Sequence, residues 1–294
     1  MIRGQNRKMN PRDSSRRPPA IVDVHVHHNG DEDFLRRLVD RLRAADAMAC
    51  LLTTPPQFDQ VRRFLEQHAD CLIGFGDVRL DDPDALNWIE RFHQAGFDGL
   101  GEFTSSARPF DHPAYGPLFA RAAELRLITL FHTGIVFRPE PRVAANISSD
   151  RLRVTRLDAI LRQFPDLVVI AAHMGNPDYV WAAELSRWNP NLYLDLSGST
   201  LIKTASDYRV FRSYFWWSGT VSPHTPLGQA DAFAKLVFAS DIFWGELGEF
   251  DRSLERHRRM LEVCGVDAVT RQAIMGGTAW RLISERRAAS GGKA

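Results

Sequence analysis

Two histidines stand one residue apart at the end of an apolar run near the start of the chain. They are His25 and His27, in the sequence DVHVH. Because side chains alternate between the two faces of a β-strand, both imidazoles would lie on one face, a few ångströms apart. Imidazole nitrogen is a common ligand of Zn²⁺. The pair could therefore ligate a metal ion, but HxH is common in strands, and taken alone it favours two histidines with ordinary hydrogen bonds.

Further metal-capable side chains end four other apolar runs. They are Glu102 in GLGE, His132 in FHTG, His173 in AHMG and Asp241 in FASD. Imidazole nitrogen combined with carboxylate oxygen suits Zn²⁺ and tolerates Mn²⁺ or Fe²⁺. Six such residues at five strand ends indicate a shared metal site. For Glu102 the alternative is a buried partner of an arginine.

Short apolar runs alternate with longer amphipathic stretches from Ala20 onward. The runs predict strands at Ile21–His27, Ala47–Thr53, Cys71–Val78, Phe97–Phe103, Ile128–His132, Leu167–His173, Asn191–Leu196 and Leu236–Asp241. The amphipathic stretches predict helices at Asp33–Ala44, Phe58–Ala69, Ala85–Ala95, Tyr115–Leu125, Arg151–Phe164, Tyr179–Trp188, Asp207–Trp217, Ser253–Cys264 and Asp267–Met275. This alternation is typical of parallel strands joined by crossover helices.

Eight strands with helical partners predict a single α/β domain, a closed (β/α)₈ TIM barrel over residues 20–287. An open, doubly wound sheet is the alternative, but no GxGxxG motif follows an early strand. In such a barrel, catalytic side chains come from the C-terminal ends of several strands. The long connections 134–150 and 198–235 are predicted lids or binding loops.

The two ends of the chain are predicted to lie outside the barrel. Residues 1–19 are basic and polar, which predicts a flexible tail rather than a secretion signal. An arm that contacts a neighbouring subunit is the alternative. Residues 288–294 are expected to be frayed.

Composition limits the partners and the compartment. The 37 Lys and Arg residues against 36 Asp and Glu give a net charge of +1, so no bulk positive field favours nucleic acid or a membrane surface. No apolar run of about 18 residues predicts a transmembrane helix. The three cysteines form no disulfide framework, which suits the cytoplasm.

Several stretches resemble the amidohydrolase superfamily. They are the HxH pair and the sequences FHTG, VVIAAHMG, NPNLYLDLSG, LVFASD and MGGTAWRL. The resemblance spans Ile21 to Leu282 and is most specific to the amidohydrolase-related branch, which includes aminocarboxymuconate-semialdehyde decarboxylase-like enzymes. It implies a (β/α)₈ barrel with one or two metal ions, zinc or alternatively manganese or iron, at its C-terminal mouth.

The resemblance also implies a role for each candidate residue. His25, His27 and Asp241 would ligate the first metal, and His132 would be a further ligand. His173 would be an acid/base group beside a single ion, or would hold a second ion together with His132. Glu102 occupies the position at which relatives with two ions carry a bridging carboxylate. Asp241 would also take a proton from the metal-activated water and pass it to the leaving group.

Candidates for substrate binding are less specific. Arg138 and Arg142 lie on the loop after the fifth strand, where arginine could bind a carboxylate, although solvated loop charges are equally expected. Ser197 and Trp244 follow the seventh and eighth strands and could line the pocket. For Trp244, packing within a lid or a subunit interface is the alternative. The oligomeric state stays open, with a homodimer as one expectation.

Other polar residues are assigned structural or surface roles. Asp23 lies within a predicted strand and is expected to be a carboxylate that supports the metal ligands or a structural one, rather than a ligand. Asp195, also within a predicted strand, is expected to be structural. His257 lies in a predicted helix and is expected to be solvated.

Three functions fit this set. The first is a metal-dependent hydrolase of an amide, lactone or ester bond in a small molecule, expected to carry a carboxylate. The second is a nonoxidative decarboxylase, a lyase, of an aromatic or unsaturated carboxylic acid. The third is a non-catalytic barrel, which the complete ligand set disfavours, because unpaired ligands in a cavity cost free energy.

Overall fold

The structure, a computed structural model, describes residues 18–104, 107–136, 148–220, 231–243 and 245–291. Within these ranges the strands are β1 Ile21–His27, β2 Ala47–Thr53, β3 Leu72–Gly76, β4 Gly99–Phe103, β5 Ile128–His132, β6 Val169–Ala172, β7 Leu192–Asp195 and β8 Leu236–Val237. The α-helices are α1 Glu32–Ala44, α2 Phe58–Gln67, α3 Ala85–Gln94, α4 Gly116–Glu124, α5 Arg156–Gln163, α6 Tyr179–Trp188, α7 Thr200–Lys203, α8 Val210–Tyr214, α9 Gly248–Val263, α10 Ala268–Gln272 and α11 Thr278–Gly291. Short 3₁₀ turns span Pro55–Gln57, Pro113–Tyr115, Ser149–Leu152, His173–Gly175 and Ala232–Lys235, and a π-helical turn spans Ala273–Gly277.

The strands form one parallel sheet in chain order, β1 to β8. The segment around β8 closes the sheet against β1: Val24 N donates to Phe238 O at 3.1 Å, and His27 N donates to Ile242 O at 3.0 Å. The predicted (β/α)₈ barrel is therefore confirmed, and the open sheet is excluded. None of the helices in the described ranges has the length and apolar character needed to span a bilayer.

Apolar side chains pack in two layers. One layer lies between the sheet and the surrounding helices, and the other fills the barrel. The interior layer includes Ala279, Trp280, Leu282 and Ile283 of α11. Arg286 of the same helix donates to Asp98, directly before β4, at 2.6 Å. Helix α11 therefore seals the N-terminal end of the barrel, and it extends to Gly291, inside the segment expected to fray.

Trp280→Ala is expected to destabilise the protein by about 3–5 kcal/mol, because it leaves a large cavity in the plug of the barrel. Trp280 is only 8% exposed, whereas Val269, on the neighbouring α10, is 78% exposed. Val269→Ala is therefore the control and should change stability by less than about 0.5 kcal/mol. Urea unfolding at equilibrium measures both variants. A loss below about 1 kcal/mol at Trp280 would show that the barrel does not need its plug.

Several predicted boundaries and one predicted environment were wrong. Strand β8 ends at Val237 rather than Asp241, whose backbone is left-handed (φ 56°) and cannot continue a strand. His257, expected to be solvated, is 1% exposed, because the face of α9 that carries it packs on the barrel. Its Nδ1 donates to Ser253 O at 2.8 Å, and burial lowers its pKa to about 4.

Candidate metal centre

An irregularity in β1 turns the two histidines inward. The pairing register with β2 shifts between Asp23 and Val26, which marks a β-bulge. Val24 belongs to the barrel interior, whereas Val26 packs in the outer layer, so the alternation changes face between them. Bulges re-aim side chains in this way. His25 and His27 consequently share the inner face, as their spacing predicted.

Strand β4 contains a similar irregularity around its carboxylate. The register with β5 shifts between Leu100 and Phe103, and both of these side chains pack in the outer layer. Strict alternation from Leu100 would send Glu102 outward as well. Instead the carboxylate lies inside the barrel, 3% exposed and surrounded by imidazoles.

Four ligand atoms form a first cluster. His25 Nε2 and His27 Nε2 are 3.1 Å apart, and Glu102 Oε2 lies 3.5 and 3.6 Å from them. Asp241 Oδ1 lies 3.5 and 3.4 Å from the same two nitrogens. Ligand atoms bound at 2.0–2.2 Å around a tetrahedral ion are about 3.3–3.6 Å apart. The spacing of these atoms therefore fits a zinc-sized ion.

The second oxygen of Glu102 belongs to another cluster. Glu102 Oε1 lies 3.0 Å from His132 Nδ1 and 3.4 Å from His173 Nε2. The other nitrogen of His132 faces a second acceptor, the Ile135 carbonyl, at 3.2 Å. A neutral imidazole has one N–H, so a cation near Nδ1 would leave the other nitrogen free to donate to the Ile135 carbonyl. Glu102 thus places one oxygen in each cluster, and together they fit one or two ions.

Opposite charges shift the pKa values in the cluster. Burial alone would raise the pKa of Glu102, but the imidazoles of His25 and His132 hold it well below its ordinary value. Burial alone would lower the pKa of His25, but Glu102 and Asp241 raise it well above its ordinary value. The same balance raises the pKa of His173 to about 9. When no metal ion is bound, protonated imidazoles therefore neutralise the carboxylates of the cluster.

Zinc binding at pH 7 is expected to release about one to two protons per chain, because metal-binding imidazoles must be neutral. The pKa of His173, about 9, lies above this pH, so the group is protonated beforehand. The part of the release that comes from His173 should disappear as the pH rises above about 9. Titration calorimetry in buffers with different ionisation enthalpies measures it. His68→Gln, outside the cluster, is the control, and a binding heat independent of the buffer would contradict the expectation.

A buried carboxylate behind the cluster orients its imidazoles. His25 Nδ1 donates to Asp195 Oδ2 at 3.1 Å, and the backbone N–H groups of His173 and Ser197 both donate to Asp195 Oδ1 at 2.9 Å. Although burial opposes ionisation, His25, the charge of His173 and the Ser197 hydroxyl lower the pKa of Asp195 to about 2. Because the Nδ1–H of His25 donates to this carboxylate, its Nε2 keeps a free lone pair, which faces the cluster. Asp195 was expected only to be structural, so sequence analysis missed this positioning contact.

Asp195→Asn is expected to weaken zinc binding about 10–100-fold, since carboxylates that orient metal-ligating histidines have effects of that size. Competition with a chromophoric chelator measures the affinity. Asp207→Asn is a matched control, because the Asp207 side chain pairs with Arg209 at the surface. Equal affinity in the two variants would remove Asp195 from the metal centre.

The structure locates only some of the remaining candidates. Ser197 is 1% exposed, its Oγ donates to Asp195 at 2.6 Å, and it lies 3.1 Å from His173 Nδ1. These contacts favour a positioning role over the substrate contact expected from the sequence. The other three substrate-binding candidates lie outside the described residues: Arg138, Arg142 and Trp244.

Two other carboxylates, Asp23 and Asp77, lie near the candidate metal centre. Asp23 Oδ1 accepts from His25 N at 3.1 Å and from Ser240 N at 3.0 Å, which ties β1 to the segment that carries Asp241. Asp77, at the end of β3, was not singled out from the sequence. Burial and the charge of Glu102 raise its pKa to about 7. A carboxylate following an inward-facing apolar strand was the signal that could have revealed it.

A family model matches most of the chain. The amidohydrolase family model matches residues 30–284. The chain therefore belongs to the amidohydrolase family, as its motifs indicated, and this membership suggests a metal-dependent enzyme. No curated protein matches the chain.

Solved structures with the same fold include enzymes of two kinds. The chain is similar to 5-carboxyvanillate decarboxylase from Sphingomonas paucimobilis, with 14% identity, a TM-score of 0.58 and coverage of 90% of this chain and 98% of that one. It is also similar to a probable 2-pyrone-4,6-dicarboxylic acid hydrolase from Acinetobacter baumannii, with 14% identity, a TM-score of 0.59 and coverage of 90% and 99%. An amidohydrolase from Burkholderia multivorans shows 17% identity, a TM-score of 0.61 and the same coverage. At these identities the similarity establishes the fold.

Proposed function

We propose that the protein is a metal-dependent hydrolase that cleaves an amide, lactone or ester bond in a small, carboxylate-bearing molecule. One observation carries this proposal: the two oxygens of Glu102 face two separate groups of histidines. A carboxylate in that position is suited to bridge two cations. Two-ion sites are well suited to hydrolysis, because both the attacking water and the reacting carbonyl need stabilisation.

The residues divide into two ligand groups. His25, His27 and Asp241 would hold a first ion, His132 and His173 would hold a second, and Glu102 would contact both. The mixed nitrogen and oxygen donors favour zinc, with manganese or iron as alternatives. An ion bound here would supply an acidified water molecule and polarise a carbonyl group.

Asp241 is suited to move the proton. Its side chain is 21% exposed, whereas Glu102 and His25 are almost fully buried, so a substrate can reach it from the mouth. Its carboxylate would accept the proton of the attacking water and return it to the leaving group. Arg138 and Arg142 are proposed to bind the carboxylate of the substrate, since a guanidinium group matches a carboxylate bidentately.

Decarboxylation is the second candidate, and His173 is the observation that favours it. Its pKa of about 9 makes the imidazole an acid at neutral pH, and it lies beside the cluster at 3.4 Å from Glu102. With a single ion on the first cluster, His173 or Asp241 would protonate the carbon that loses CO₂. The similar fold of a known decarboxylase is compatible with this chemistry.

A substrate panel separates the two functions. The zinc-loaded protein is assayed with carboxylate-bearing lactones, esters and anilides for acid release or chromophore release. Aromatic and unsaturated carboxylic acids are assayed in parallel for CO₂. Hydrolysis without CO₂ release supports the hydrolase, whereas CO₂ release without hydrolysis replaces it with the decarboxylase. A His25→Ala variant that turns over normally would disprove both.

A further inference from the structure

Asp77 directly follows β3, and the alternation of that strand turns it into the mouth of the barrel. Ile73 and Phe75 belong to the interior layer. Gly74 and Gly76 face the helices, where a Cβ on Gly74 would lie 2.6 Å from a phenylalanine ring. Because side chains alternate along a strand, Asp77 continues the inner face of Ile73 and Phe75.

The backbone stays hydrogen-bonded to the neighbouring strand β2 one residue beyond the end of β3. Asp77 N donates to Thr53 O, at the end of β2, at 2.8 Å. The next strand carries Glu102, and its register pairs Gly76 with Leu100, so Asp77 lies beside the end of β4 that leads to Glu102. Asp77 therefore lies on the β3–β4 side of the candidate metal centre, above the apolar interior.

Among the described residues, the Asp77 side chain has no hydrogen-bond partner. The charge of Arg79 acts on it only at longer range. The residue is partly buried, so water replaces a missing partner only in part. A hydrogen-bond donor on a bound molecule would satisfy the carboxylate and favour its ionised form.

We infer that Asp77 is a specificity-determining residue that accepts a hydrogen bond from a hydroxyl or amino group of the substrate. The inference rests on the proposed function, because it places the reacting carbonyl at the neighbouring metal centre. The substrate class narrows accordingly to hydroxy- or amino-substituted carboxylic acid derivatives, with the donor on the β3–β4 side. Donor-free analogues would lose this contact.

Hydroxamates test the inference without knowledge of the substrate, because they bind active-site metal ions directly. Calorimetry measures the dissociation constants of benzohydroxamate and its 2-, 3- and 4-amino and hydroxy derivatives for the zinc-loaded full chain. The variants are Asp77→Ala and Asp77→Asn, with Asp59→Ala on the exposed face of α2 as the matched control. Metal content is measured for each protein.

In the wild type and the control, at least one donor-bearing derivative is expected to bind about tenfold more tightly than benzohydroxamate. Asp77→Ala should abolish this preference, leave the affinity for benzohydroxamate within about twofold, and leave the metal content unchanged. Asp77→Asn should restore part of the preference for a hydroxyl group, because its amide oxygen still accepts.

Three results would overturn the inference. They are a wild type without any preference, a preference that survives Asp77→Ala, and a loss of metal in that variant. Failure of benzohydroxamate itself to bind the zinc-loaded wild type would instead refute the proposed metal centre, and the role of Asp77 with it. The failure of the inference and that of the proposed function are therefore distinguishable.

Discussion

Glu102→Ala is expected to reduce the metal content from two ions per chain to one or fewer. Each oxygen of Glu102 lies within 3.6 Å of the nitrogens in its own cluster. Its removal leaves the second cluster with only His132 and His173, which is too few protein ligands for a stable zinc site. Inductively coupled plasma mass spectrometry measures the metal in proteins purified without added metal or chelator.

Two further variants make the result specific to the Glu102 carboxylate. Glu66→Ala removes an exposed carboxylate that pairs with Arg62, and it should retain the full metal content. Glu102→Gln retains an oxygen ligand but loses the charge, so it should fall between Glu102→Ala and the wild type. A single ion in the wild type, unchanged by Glu102→Ala, would contradict the bridging role. Decarboxylation would then be the favoured function, with His173 as the acid that protonates the substrate.

Asp241→Asn is expected to lower kcat by about 10²–10⁴-fold on whichever panel substrate the wild type turns over fastest, because an amide cannot accept the proton. The backbone should be retained, since asparagine tolerates the left-handed conformation of Asp241. Asp241 N also donates to His25 O at 2.9 Å, which fixes the position of this residue in any variant. Steady-state kinetics together with metal analysis measure the effect.

The two readouts separate the possible roles of Asp241. A large loss of kcat at nearly constant metal content would indicate a proton-transfer role. Loss of metal together with activity would indicate that Asp241 serves mainly as a ligand. Unchanged turnover would exclude this residue from the chemistry, whereas the surface variant Asp207→Asn should show wild-type kinetics.

The gathering of the ligands could be predicted from the sequence, because the order of strands in a barrel brings their C-terminal ends together. The structure places all six predicted metal ligands in two touching clusters: His25, His27, Glu102, His132, His173 and Asp241. Their assignment as ligands, the number of ions, the oligomeric state and the compartment remain predictions.

Other features depend on tertiary detail that local patterns do not contain. The irregularity in β4 decides that Glu102 faces inward, although the alternation around it would send it outward. The contact of Asp195 with His25 joins residues 170 positions apart in the chain. Helix α11 was not predicted from the sequence. Its apolar residues face the barrel interior, and two glycines, Gly276 and Gly277, precede it, so its hydrophobic periodicity is weak.

The plug formed by α11 has a consequence for biosynthesis. Because the helix follows all eight strands in the chain, a ribosome completes it only after the whole barrel wall has been made. The pairing of Arg286 with Asp98 spans 188 positions, so this end of the barrel stays unsealed through most of translation. We expect the nascent chain to expose its apolar lumen until α11 docks, which favours chaperone binding up to that point.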